Sequence, residues 1–183
     1  MPRDTAELYR ALTYGTVDDL NRVYEPAWVN YAYASGTPLT LALSNPDTSQ
    51  RVAIANRLLD DGADVREGQP LHLLLGRNEH DFTGEAKLLE RMLDAGADVN
   101  EVVAKFGTPL ETIAAKLKFS DAILTPYYDV LLARPDLDLL RPSLRGDTVL
   151  VNLRKMVGRR DELVVRAEQA LTDRGIPVPP PAQ

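Results

Sequence analysis

The chain has no cysteine and only two histidines among 183 residues. The first absence removes disulfides and thiolate metal sites, and it fits a cytoplasmic protein. The second makes a metal cage hard to assemble, so no metal is expected. No apolar run reaches the roughly 18 residues that a membrane-spanning helix needs. The opening residues, Met1 to Glu7, lack the apolar core of a secretory signal. A Gly-rich phosphate loop, HExxH and GxSxG are also missing. No nucleophile stands beside a base. These absences exclude the common enzyme classes and leave no cofactor to expect.

Acidic residues outnumber basic ones, 27 to 21, but unevenly. Residues 1–140 hold 13 basic and 22 acidic side chains, a balance of −9, whereas residues 141–183 hold 8 and 5, a balance of +3. The acidic part repels nucleic acid and favours a basic partner. The basic end, with Arg154-Lys155 and Arg159-Arg160, reads as a solvated segment complementing helix C-termini rather than a phosphate-binding patch. Residues 179–183 are too Pro-rich for helix and read as an extended tail.

What is present is a repeat. Leu58-Leu59-Asp60-Asp61-Gly62-Ala63-Asp64-Val65 returns 34 residues later as Met92-Leu93-Asp94-Ala95-Gly96-Ala97-Asp98-Val99. Each is followed by a Gly-x-Pro-Leu phrase, Gly68-Gln69-Pro70-Leu71 and Gly107-Thr108-Pro109-Leu110. Pro suits the first turn of a helix, and Thr before it can cap that helix. Thr37-Pro38 and Thr108-Pro109 therefore predict helix starts. Gly62 and Gly96 fall where a left-handed C-terminal cap wants glycine. Asp64 and Asp98 can bond nearby backbone amides as the chain turns.

These phrases resemble the ankyrin repeat, whose period is about 33 residues. The resemblance implies an all-α ankyrin-repeat solenoid of antiparallel helix pairs joined by short outward fingers, in one domain over residues 1–178. Five units follow, at 4–35, 36–67, 68–106, 107–145 and 146–178. In the fourth, Pro135 stands where the family has Gly, so that turn must differ. In the fifth, Val149 replaces Leu and no Pro precedes it. An insertion is expected at 77–84, and in solenoids insertions map to loops on one face, often the binding face. The implied function is a non-enzymatic protein-protein interaction module. A bacterial scaffold or toxin-neutralising protein is one form of it, acting as a monomer on a protein partner without nucleic acid or membrane.

Six of the eleven aromatic residues lie in the first 33 positions. Trp28 to Tyr33 occupy the first finger, which would put Tyr31 and Tyr33 on one side if extended, and Trp28 on the other. These rings either anchor a partner or seal the end of the stack. The partner-binding candidates are Tyr31, Tyr33, His80, Asp81 and Phe82, with Arg66 and Glu67 as rim charges. His72 falls at the family's Pro-Leu-His position, which implies a structural role. His80 is expected as a solvated loop histidine between Glu79 and Asp81. The alternative is an enzyme or metal-binding protein using His80 and Asp81, which the carboxylates beside that imidazole would support.

Overall fold

Ten α-helices and no strand form among residues 5–181, which the computed structural model describes. They are α1 (Thr5–Tyr14), α2 (Val17–Val23), α3 (Pro38–Ala42), α4 (Thr48–Asp60), α5 (Pro70–Leu75), α6 (Phe82–Asp94), α7 (Pro109–Ala114), α8 (Asp121–Leu132), α9 (Val149–Arg154) and α10 (Asp161–Asp173). The protein is all-α. Asp4, the expected start of the first unit, and the tail's Ala182 and Gln183 lie outside the described residues. No helix among the described residues is long and apolar enough to cross a membrane.

The helix starts follow cap chemistry. Thr16, Thr37 and Thr108 each accept a backbone N–H three residues on, and the side chain at that position accepts the Thr N–H in return. Two orphan donors per helix are thereby satisfied. Gln69 breaks the pattern. It gives α5 no side-chain cap and sits in the left-handed region at φ 59. The ends of α4 and α6 are equally regular. At Gly62, φ 88, the chain reverses with Gly62 N–H bonded to Leu59 O and Ala63 N–H to Leu58 O. Gly96, φ 100, repeats this with Leu93 and Met92. Both are Schellman closures.

Nothing lies within 4 Å of a Cβ added to Gly96, so a side chain there meets only backbone strain. Gly96→Val is expected to cost roughly 1–3 kcal/mol. Urea denaturation checks this, and an unchanged midpoint would show that the left-handed turn contributes nothing. Asparagine, which tolerates that conformation, is expected to cost less.

The chain divides into two compact units, Met1–Ala97 and Asp98–Gln183. In the first, α1 packs on α2, α3 on α4, and α5 on α6; α1, α3 and α5 form one row of neighbours and α2, α4 and α6 another. In the second, α7 packs on α8 and α9 on α10, while α7 meets α9 and α8 meets α10. Helices α4, α6 and α8 each bury a stripe at i, i+3, i+4, i+7, the spacing of one helix face. On α8 this stripe is Leu124, Tyr127, Tyr128 and Leu131, all fully buried. Each such Leu contributes about 1.5–3 kcal/mol relative to exposure.

Two stripes begin with a charge. On α4 the stripe is Arg51, Ile54, Ala55, Leu58, and on α6 it is Glu85, Leu88, Leu89, Met92. Arg51 and Glu85, 1% and 0% exposed, form a direct ion pair. In the second unit Asp121, at the start of α8, pairs with the buried Arg160 before α10 at 3.3 Å. Without a glycine at Pro135, the end of α8 is closed differently. Arg174 donates to the carbonyls of Leu132, Arg134 and Leu137, reaching across from the end of α10.

Candidate partner-binding surface

The loop after α2 is not an extended finger throughout, as the alternation reading supposed. Pro26–Trp28 forms a 3-10 turn, and Tyr31 N–H bonds back to Trp28 O. Extended geometry returns only at Tyr33, which exchanges two backbone bonds with Gly36. Within this hairpin Tyr31 and Tyr33 meet edge to face, ring centres 4.9 Å apart. Tyr33 also meets Tyr9 of α1, edge to face at 6.1 Å. Such pairs add about 0.5–1.5 kcal/mol beyond area burial.

Tyr33 is therefore the inner ring, with two aromatic neighbours, and Tyr31 the outer one, with one. The hydroxyl of Tyr33 is buried and has no hydrogen-bond partner among the described residues. Burial, then the neighbouring Tyr31, pushes its pKa up to about 12.

Asn30 sets this hairpin beside the loop after α4. Its Nδ2 donates to Gly62 O at 3.1 Å and its Oδ1 accepts Asp64 N–H at 2.7 Å. Asn100 does the same in the second unit, with Asp136 O and Asp138 N–H. Asp64 in turn accepts the Arg66 N–H and its guanidinium, both at 3.0 Å. The Arg66 side chain and its N–H hold the Asp64 carboxyl below the usual carboxylate range. Arg66 and Glu67 are exposed. Tyr31, Tyr33, Arg66 and Glu67 thus lie on two adjacent loops of one unit, joined by Asn30.

The insertion candidates have other roles. His80 was expected in solvent, but its side chain is fully buried. Its Nδ1 lies 2.6 Å from Glu85 Oε2, and its Nε2 donates to Arg77 O at 3.0 Å. The reason is Glu85: a carboxylate inside the fold needs partners, and the imidazole supplies the second beside Arg51. Asp81 caps α6 by accepting Gly84 N–H at 3.0 Å. Phe82, half-buried, packs its ring 5.5 Å from that of His80. All three side chains are engaged in holding the fold. No group of three or more His, Cys, Asp or Glu able to hold a metal exists among the described residues. His72 is buried in α5.

One surface feature went unanticipated. In the second unit the loop closed by the Val103–Gly107 bridge exposes Phe106 by 56% and Val102 by 40%. The signal was available, since this loop precedes Gly107-Thr108-Pro109 as the tyrosine hairpin precedes Thr37-Pro38.

A scan against protein-family models finds no match, and a search of curated proteins finds none. Among solved structures, the chain is similar to one described as the crystal structure of a functionally unknown protein from Leptotrichia buccalis C-1013-b. The TM-score is 0.70 at 18% identity, covering 93% of this chain and 96% of that one. At that identity the likeness concerns fold alone.

Proposed function

We propose that the chain is an ankyrin-repeat protein that binds another protein and performs no catalysis. The repeat reading rests on the paired Gly-Ala-Asp-Val phrases and on helix starts at Thr-Pro. The binding reading rests on one observation: Asn30 holds the Tyr31–Tyr33 hairpin against the loop of Arg66 and Glu67. That arrangement offers an aromatic anchor flanked by rim charges, the usual composition of an interface hot spot. Residues 1–97 carry 15 acidic and 9 basic side chains, a balance of −6, while residues 98–183 carry 12 of each. The unit bearing the surface thus holds the whole excess of negative charge, which suits a basic partner. A bacterial scaffold or toxin-neutralising role, as a cytoplasmic monomer, is the form of this function that the charge fits best.

The test is affinity capture with the intact chain, followed by calorimetry on the partner recovered. Tyr31→Ala with Tyr33→Ala is expected to weaken binding by about 2 kcal/mol or more. Because Tyr33 supports Tyr9, Tyr31→Ala alone is the cleaner arm, expected to leave the melting temperature in place. Wild-type affinity in both variants would remove the hairpin as the anchor. Lost stability in Tyr31→Ala would assign that ring to the core.

A further inference from the structure

A cleft of about 370 Å³ opens between the loop before α4 and the loop joining α5 to α6, lined by Pro46, Arg51, Gly76, Arg77, Asn78 and Glu79. Arg51 reaches it from the interior. Its Nε donates to Asn45 O at 2.9 Å, and its Nη1 donates to Glu79 O at 3.0 Å and to Glu85. Its Nη2 has no partner among the described residues, although the side chain is 1% exposed. Arg77 is half-buried, and its guanidinium makes no hydrogen bond or ion pair among the described residues. Burial first, and then the charge of Arg51, lower its pKa. Two guanidiniums therefore share one recess in mutual repulsion, each with donors to spare. The nearby carboxylates do not resolve this. Glu85, bonded to Arg51 and His80, and Glu79, on an exposed rim, both attract Arg77 without pairing to it.

We propose that this cleft binds a phosphate group, either free phosphate or the phosphate of a small phosphomonoester. With Arg51 paired to Glu85, the charge of Arg77 is the one left for an anion, and guanidinium forks suit tetrahedral oxyanions. A partly enclosed site strengthens the attraction relative to open solvent. The volume sits at the lower end for small-molecule sites, enough for the group and a short substituent. The site is separate from the tyrosine hairpin, so it stands or falls independently of the partner-binding reading.

The experiment is amide NMR on the intact chain at low ionic strength. One arm is titrated with inorganic phosphate and one with glycerol 2-phosphate, with chloride as control. Saturable shifts at Arg51 and at residues 76–79 are expected in at least one arm, and the tighter arm identifies the source. Arg77→Gln is expected to weaken binding about tenfold or more, as loss of charge-assisted hydrogen bonds predicts. Its melting temperature should hold, because that side chain bonds nothing in the fold. Arg77→Lys, which keeps the charge and loses the fork, is expected to fall between. If Arg77→Gln melts early, the lysine variant carries the comparison. No saturable shifts at these residues in either arm, or wild-type affinity in the variant that carries the comparison, would overturn the proposal.

Discussion

Glu85→Ala is expected to lower the free energy of unfolding by about 3–5 kcal/mol, the range for breaking a buried ion pair from one side. The carboxylate has no exposure and takes two partners, Arg51 from α4 and His80 from the loop before its own helix. Removing it leaves a buried guanidinium and a buried imidazole without their shared carboxylate. Each is then charged without compensation or unsatisfied, and either is costly. Glu85→Gln keeps the shape and some acceptor capacity but loses the charge, so a smaller loss is expected. A third variant separates pairing from packing. Arg51→Met combined with Glu85→Leu removes both charges together, and it should recover much of the stability that the single change loses. Urea denaturation of the three variants reads the result. A loss below about 1 kcal/mol for Glu85→Ala would mean that solvent reaches the carboxylate and the pair contributes little.

Much of the backbone was legible beforehand because its signals are local. Thr37 and Thr108 cap helices that their own sequence neighbours define, and Gly62 and Gly96 close helices within two residues of themselves. The loop carboxylates were legible for the same reason, since Asp64 and Asp98 bond amides two residues on. What escaped were side chains whose partners lie a repeat away. Asn30 meets a loop 32 to 34 residues later. Arg51 meets Glu85 at a separation of 34. A charged residue in a helix reads by default as part of a solvated face, and periodicity alone does not correct that. A signal did exist. Arg51 and Glu85 occupy the first position of the apolar stripe on their helices, three residues before Ile54 and Leu88. Two opposite charges in that register, one repeat apart, mark a buried pair. Reading them so would have drawn His80 inward with Glu85. The candidate surface was legible only in composition. The clustered tyrosines announced it, but which ring faces outward depends on Tyr9, which lies on α1.

The same register argument carries the second large effect. Arg160 stands three residues before Leu163, the first buried apolar position of α10, and is 1% exposed. It donates to the carbonyls of Ala114, Lys116 and Phe119 at 2.7 to 2.9 Å, and to Asp121 at 3.3 Å. Those carbonyls belong to the end of α7 and the turn after it, which no glycine closes. The guanidinium therefore replaces a backbone cap with one side chain, as Arg174 does after α8. Arg160→Ala strands the carbonyls and leaves the Asp121 carboxylate, among the described residues, with the Tyr128 hydroxyl and two amide donors. The expected loss is again about 3–5 kcal/mol. Arg160→Lys should recover little of it, since one ammonium cannot reach oxygens spread around a planar fork. Hydrogen exchange gives the location. Protection should fall at amides of α7, α8 and α10 before it falls in α1 to α4. Uniform loss across both units would contradict a local role for Arg160. An unchanged exchange pattern in Arg160→Ala would show that water satisfies the same carbonyls as well as the guanidinium does.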